Sequence, residues 1–164
     1  MTKSIRRMTT AGVLTALVTI ATFMLRVPVP ATSGYIHMGD GIVLFSALCM
    51  GSSAAWIGGI GSALSDILGG YFAYVLPTFV IKAVMAWIVV LLQRKASGSM
   101  PRTILFLALA SLWMVAGYFV VEAFMFGFAA ALSAVIPNVL QGLAGTFLAC
   151  LLNKLDIQRF LHRS

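Results

Sequence analysis

Long uncharged stretches separated by short basic clusters constrain this chain more than any other feature. Residues 8–25 and 41–65 contain no charged side chain, and about 20 apolar residues in a helix span a bilayer. Only 9% of the 164 residues are charged, whereas a soluble domain carries roughly 25%. So few charges cannot cover a water-facing surface, and the sequence predicts an all-α integral membrane protein.

The positions of the basic clusters predict six transmembrane helices rather than five. The segment 41–65 is interrupted at Gly51, so it can form one span or two short helices. Two helices bring all the clusters to one face, which the positive-inside rule makes cytoplasmic, together with both termini. The clusters are Lys3, Arg6 and Arg7, then Arg94, Lys95 and Arg102, then Lys154, Arg159 and Arg163. The predicted helices, in one membrane domain covering 1–164, are approximately 8–26, 40–50, 54–68, 77–93, 103–126 and 131–152.

The charge pattern and the missing motifs argue against several functional classes. The net charge of +7 lies in clusters between apolar stretches, so it indicates a membrane face and not nucleic-acid binding. The sequence has no P-loop, His-Glu-x-x-His or Gly-x-Ser-x-Gly motif and no Cys/His metal spacing. We therefore expect no catalytic residues, no cofactor and no metal.

Polar residues within the apolar stretches gather at the outer side of the predicted bundle. An ionisable residue inside a membrane is energetically expensive and by default suggests a function. Together with nearby aromatic residues they predict a cavity that is open to the outside and closed toward the cytoplasm. In such a cavity, aromatic rings can stack on a flat ligand and polar side chains of the last three helices can hydrogen-bond to it. The predicted substrate-binding residues are Tyr35, His37, Asp40, Asp66, Tyr74, Lys82, Tyr118, Glu122, Asn138 and Gln141.

Several of these residues also have purely structural interpretations. Lys82 and Glu122 lie at similar predicted depth on different helices, so they can pair with each other instead of contacting a ligand. Asp40 can act as a helix N-cap. Asn138 and Gln141 can form hydrogen bonds between helices.

The first predicted helix carries a smooth face. Gly12 and Ala16 form a small-xxx-small pair, and Ala11, Thr15 and Thr19 form a second ridge beside it. Small residues let helices approach closely in lipid. The sequence therefore predicts that Gly12 and Ala16 dock a partner protein.

Seven short segments and a single glycine form an ordered set along most of the chain. They are 34–40 (GYIHMGD), Gly51, 58–66 (GGIGSALSD), 68–71 (LGGY), 77–79 (PTF), 81–83 (IKA), 137–138 (PN) and 141–142 (QG). Together they resemble the S components of energy-coupling factor (ECF) transporters. Among subtypes, the likeness is to members assigned to hydroxymethylpyrimidine or pyridoxine-type vitamins.

The resemblance implies a six-helix membrane protein that captures a vitamin from outside, with the first loop, residues 27–39, acting as a lid. It also implies a transmembrane coupling protein and two cytoplasmic ATPases as partners, in the cytoplasmic membrane of a bacterium or archaeon. The family docks on its coupling protein through an Ala-x-x-x-Ala face on helix one. The nearest match here is Gly12 and Ala16.

The sequence thus predicts a membrane-embedded subunit that captures a small water-soluble vitamin or precursor, related to hydroxymethylpyrimidine, pyridoxine or thiamine. Two alternatives stay open. One is a self-sufficient secondary transporter of a small polar solute, and the other is a structural membrane protein without a ligand. Ligand binding would exclude the second alternative, and uptake driven by an ion gradient through the chain alone would favour the first.

Overall fold

The computed structural model describes residues 3–29, 32–94 and 99–155, which form six helices and one β-hairpin. In chain order the elements are α1 (Lys3–Met24), β1 (Arg26–Val29), β2 (Gly34–His37), α2 (Gly39–Met50), α3 (Ser53–Gly69), a 3₁₀ turn (Phe72–Tyr74), α4 (Val75–Gln93), α5 (Met100–Phe126) and α6 (Phe128–Lys154). Three members of the predicted basic clusters, Lys95, Arg159 and Arg163, lie outside the described residues.

Glycines with positive φ separate two pairs of helices. Gly51, at φ 56°, ends α2 within the segment 41–65. Gly127, at φ 90°, separates α5 from α6. This backbone conformation is strained for residues with a Cβ and easy for glycine. The predicted division of 41–65 into two helices is confirmed.

Four helical segments are long and apolar enough to cross a membrane: Ser4–Met24, Phe72–Gln93, Met100–Phe126 and Phe128–Lys154. Helix α2 has 12 residues, which gives a length of about 18 Å. The hydrocarbon core of a bilayer is about 30 Å thick. Helix α3 is intermediate, with 17 residues. The described chain therefore has the six predicted helices, of which four are clear membrane spans by length and composition.

The outer surface of the bundle is apolar. Large side chains on α4, α5 and α6 point away from the core, and Leu76, Phe124, Ile136 and Phe147 are between 71% and 89% exposed. A contiguous apolar surface of this kind is unfavourable in water. In a bilayer the same side chains contact lipid, so the surface agrees with a membrane protein.

Helix α2 lies at the centre of the bundle, packed against α1, α3, α4 and α6. Its Val43 and Leu44 are fully buried. Glycines on the neighbouring helices allow this close packing, because a Cβ at Gly58 would lie 2.7 Å from Val43 and one at Gly145 would lie 2.9 Å from Asp40. Because α2 packs against four other helices, its short length can be tolerated within a membrane.

A β-hairpin connects α1 to α2 and packs on one end of the bundle. Strands β1 and β2 are antiparallel, with Arg26 opposite His37 and Val29 opposite Gly34. The sequence predicts a loop over residues 27–39, but residues 26–29 and 34–37 pair as two strands. Pro28 does not prevent pairing, because proline is tolerated in edge strands and both strands of a two-stranded ribbon are edges.

Candidate substrate-binding site

A small polar cavity lies between β2 and the ends of four helices. Its volume is about 20 Å³, which is enough for roughly one water molecule. Seven of its nine lining residues belong to the predicted substrate-binding set, and only Gly34 and Thr78 do not. The lining residues are Gly34, Tyr35, His37, Asp66, Tyr74, Thr78, Tyr118, Glu122 and Asn138.

Two carboxylates face this cavity, and each has one oxygen without a hydrogen-bond partner among the described residues. Asp66 is 2% exposed and accepts a hydrogen bond at Oδ1 from the Tyr35 hydroxyl, while its Oδ2 has no partner. Glu122 is 4% exposed, with Oε1 3.3 Å from the Tyr74 hydroxyl and Oε2 without a partner. A buried acceptor without a donor is unfavourable. Both oxygens are therefore suited to accept hydrogen bonds from a bound molecule.

Aromatic rings form the sides of the cavity. The Tyr35 ring lies 4.6 Å from the Tyr71 ring and 5.6 Å from the His37 ring. The rings of Tyr74 and Tyr118, which also line the cavity, are 6.5 Å apart. The Tyr74 hydroxyl also donates to the Thr32 carbonyl at 2.8 Å. Such rings provide flat surfaces on which a heterocycle can stack.

Three more of the predicted residues form a separate polar layer beneath the cavity, namely Asp40, Lys82 and Gln141. Lys82 Nζ and Asp40 Oδ1 form a salt bridge of 2.5 Å, and both side chains are fully buried. Gln141 Nε2 donates to Asp40 Oδ2 at 2.8 Å, and Gln141 Oε1 accepts from the His37 backbone N–H at 2.8 Å. The polar layer thus neutralises its own charges and supports β2 from below.

This arrangement corrects two interpretations from the sequence. Lys82 pairs with Asp40, so the alternative in which Lys82 pairs with Glu122 is wrong. Asp40 lies in the first turn of α2, but Met38 occupies the N-cap position and makes no capping hydrogen bond through its side chain. The N-cap role for Asp40 is therefore also wrong. The cavity is lined by Glu122 and not by Lys82.

Two site residues on β2 have perturbed ionisation. Burial lowers the pKa of His37 to about 3, so its ring is neutral at physiological pH. Its Nδ1 accepts a hydrogen bond from the Gly39 backbone N–H at 3.1 Å, which leaves the proton on Nε2. Burial, and then the nearby Asp66 carboxylate, raise the pKa of Tyr35, so its hydroxyl stays protonated and can donate.

Arg26, which begins β1, is not among the site residues predicted from the sequence. Its guanidinium carbon lies 4.4 Å from the centre of the Phe23 ring, 4.6 Å from that of Tyr35 and 5.4 Å from that of Tyr71. Its Nη2 donates to the backbone carbonyl of Ser65 at 2.9 Å. A signal was present, because Arg26 is the only Lys, Arg, Asp or Glu between residues 8 and 39.

The predicted docking residues lie on the face of α1 that points away from the helix bundle. Gly12 and Ala16 are exposed, and a Cβ at Gly12 would meet no atom within 4 Å. The second ridge faces inward instead, since the Thr19 hydroxyl donates to the Gly61 carbonyl of α3 at 2.9 Å. The two ridges of α1 therefore differ in role, one packing against the bundle and the other facing outward.

A polar cavity lined by buried carboxylates and tyrosines, at one end of a lipid-facing bundle, is the arrangement expected of a membrane protein that binds a small polar molecule. Comparison with known proteins narrows this class. The family model for the S component of the ECF-type riboflavin transporter matches residues 2–155, and the chain belongs to this family. It is 27% identical over 155 residues to the thiamine precursor transporter HmpT of Lactococcus lactis subsp. cremoris (strain MG1363), covering 93% of this chain and 89% of the relative. A second relative is a Pyrococcus woesei protein named "Uncharacterized protein in gap 3'region". The two chains are 33% identical over 129 residues, which cover 78% of this chain and 86% of the relative.

The family recognised in the sequence is confirmed by this match. The protein is a transport subunit and not an enzyme, and it takes part in the uptake of a vitamin or vitamin precursor. It is a multi-pass protein of the prokaryotic cell membrane. Membership of the family implies that it works together with an ECF module.

Proposed function

We propose that this chain binds a small pyrimidine or pyridine vitamin precursor of the hydroxymethylpyrimidine type. The observation that carries the proposal is the pair of carboxylate oxygens, Asp66 Oδ2 and Glu122 Oε2, which lack partners among the described residues and line one cavity. Hydroxymethylpyrimidine offers an amino group and a hydroxyl as donors. Its flat ring matches the tyrosine walls, and the similarity to HmpT points to the same class of substrate.

Riboflavin is the second candidate, because the matching family model is described by that vitamin. Its three fused rings and ribityl chain need far more space than one pyrimidine ring. The cavity of about 20 Å³ is much smaller than typical ligand pockets of roughly 300–1,000 Å³. Either ligand requires β2 or the ring side chains to move, and the smaller ligand requires less movement.

A ligand screen on the purified chain tests this proposal. We expect hydroxymethylpyrimidine to raise the melting temperature, since a ligand at 100 times its Kd adds about 2.7 kcal/mol to the native state. Glu122→Gln and Asp66→Asn keep the shape of each side chain and should weaken binding at least about tenfold, because a hydrogen bond to a charged group contributes roughly 1.5–3 kcal/mol. Ser133→Ala, at an exposed position on α6, is the matched control and should bind like the wild type. Tighter binding of riboflavin than of hydroxymethylpyrimidine would overturn the assignment.

We further propose that the chain crosses the membrane six times, has both termini in the cytoplasm and depends on partner ATPases for uphill uptake. The basic residues at the start of α1, between α4 and α5 and at the end of α6 support this orientation. The exposed pair Gly12 and Ala16 is the proposed docking face for the coupling protein. Reconstituted alone in vesicles, the chain should bind its ligand without accumulating it. Accumulation driven by a proton or sodium gradient would instead identify a secondary transporter.

A further inference from the structure

Strand β2 is the one wall of the described cavity that does not belong to a helix. The cavity must widen before it can hold a heterocycle, because its volume is about 20 Å³. The helical walls are fixed by packing along their length, whereas β2 is paired with β1 and held by a few side-chain contacts. The contacts that hold the hairpin in place therefore decide how easily a ligand enters and leaves.

Arg26 makes the most extensive of these contacts. Its Nη2 donates to the Ser65 carbonyl at 2.9 Å and to the Ser65 hydroxyl at 3.1 Å, and its Nε donates to the Thr22 carbonyl at 3.2 Å. The guanidinium lies in an aromatic cage formed by the rings of Phe23, Tyr35 and Tyr71. One side chain of β1 thus joins α1, β2 and α3 and the segment that follows α3.

The neighbouring helix end leaves room for this side chain. A Cβ at Gly69 would collide with the guanidinium, lying 2.7 Å from Cζ and 2.8 Å from Nη2. Glycine at this position therefore lets Arg26 reach the end of α3. Because the guanidinium is the mobile end of a long side chain, adding a methyl group at Gly69 would displace it without disturbing the helix backbone.

Tyr35 connects the cage to the cavity. The ring that stacks against the Arg26 guanidinium carries the hydroxyl that donates to Asp66. Displacement of Arg26 would free Tyr35, and with it the wall that β2 forms. The geometry points to Arg26 as a positioning residue that holds the hairpin over the cavity and so sets the rate at which a bound ligand dissociates. This inference rests on the proposed function, in which the cavity binds the transported molecule.

The test compares variants of Arg26 by two independent readouts. Arg26→Gln removes the cation, and Arg26→Lys keeps the charge but loses the planar fork that reaches Thr22 and Ser65 together. Val27→Thr is the matched control, because this neighbouring side chain on β1 is 59% exposed. The first readout is the dissociation rate of hydroxymethylpyrimidine, and the second is amide hydrogen exchange of the hairpin without ligand, which reports local opening.

We expect both Arg26 variants to release hydroxymethylpyrimidine at least about tenfold faster. Both lose the guanidinium hydrogen bonds that reach Thr22 and Ser65 together, and Arg26→Gln also loses the cation–π contacts. Hairpin amides should exchange faster in these variants, while amides of α2 and α6 should not change. Gly69→Ala keeps Arg26 but crowds its guanidinium, so it should also speed ligand release and hairpin exchange. This variant replaces Arg26→Gln in the test if Arg26→Gln does not fold.

Unchanged dissociation and unchanged hairpin exchange in Arg26→Lys and Gly69→Ala would overturn the inference and leave Arg26 a packing residue. The two proposals fail in different ways. If the wild type does not bind hydroxymethylpyrimidine or riboflavin, the proposed function is wrong. Hairpin exchange without ligand would still decide whether Arg26 holds the hairpin.

Discussion

The buried salt bridge between Asp40 and Lys82 gives the sharpest prediction about stability. Both side chains have zero exposure, and Asp40 Oδ1 and Lys82 Nζ are 2.5 Å apart. Asp40→Asn would keep the shape of the side chain but remove its charge. The new amide NH₂ would then face either the Lys82 ammonium or the Gln141 amide, which both donate to Asp40 in the native protein. The variant therefore leaves the Lys82 cation buried without a counter-charge. It also places the new amide donor against another donor.

The expected loss follows from measurements on similar pairs. Removing one partner of a buried ion pair destabilises a protein by about 3–5 kcal/mol, whereas replacing both partners by neutral groups is often tolerated. At roughly 2–4 °C per kcal/mol for a chain near this size, Asp40→Asn should lower the melting temperature by about 10 °C. Asp40→Asn combined with Lys82→Met should recover most of that loss.

Thermal unfolding of the purified protein in one detergent measures these differences. Glu122→Gln is the matched control, because it removes an equally buried carboxylate that forms no salt bridge within the described part of the chain. That control should change stability little. If Asp40→Asn melts within about 2 °C of the wild type, the cation at Lys82 does not depend on Asp40. The account of the polar layer would then be wrong.

Three further predictions concern topology, docking and pH. Single cysteines at Ser33 and Ser99 should be labelled from opposite sides of the membrane, and labelling from one side would exclude six crossings. Gly12→Leu with Ala16→Leu should abolish uptake in cells while ligand binding is retained, whereas normal uptake would show that docking uses another surface. Because burial lowers the pKa of His37 from 6.5 to about 3, stability should be full above pH 6.5 and fall below it, by about 2 kcal/mol at pH 5. Denaturant titrations of the wild type and His37→Gln at pH 7 and pH 5 should show a smaller loss in the variant, and equal losses would mean that His37 is not the titrating group.

The helices and the polar end of the bundle could be predicted because both depend on position along the chain alone. Uncharged length predicts a helix, and the interruption at Gly51 divides one stretch into two. The depth of a residue follows from its distance to the helix end, at about 1.5 Å per residue. By that reasoning Asp66, Tyr118 and Glu122 lie in the outer half of the bundle, and all three line the cavity. The same reasoning predicts that Asp40, Lys82 and Gln141 lie in that half, but they form the polar layer instead.

The pairing of the charges could not be predicted in the same way. Depth gives no information about which face of each helix points to which neighbour. Lys82 and Glu122 are at similar depth, yet Lys82 contacts Asp40, which is 42 residues earlier in the sequence. Only the central position of α2 in the bundle brings these two side chains together. The role of Arg26 could not be predicted for a related reason. Residues 27–39 show no periodic pattern that predicts a hairpin, so no partner for the Arg26 guanidinium could be inferred.

The contrast between the two polar levels supports a binding role for the upper one. In the polar layer, the carboxylate of Asp40 has a cation on one oxygen and an amide donor on the other. In the cavity above it, Asp66 and Glu122 each keep one oxygen without a donor among the described residues. Both levels are buried, so an arrangement that served stability alone would satisfy the upper oxygens as it satisfies those of Asp40. Buried acceptors that lack donors are unfavourable. The unsatisfied oxygens of Asp66 and Glu122, beside the tyrosine rings, therefore support the proposal that a bound substrate supplies hydrogen-bond donors there.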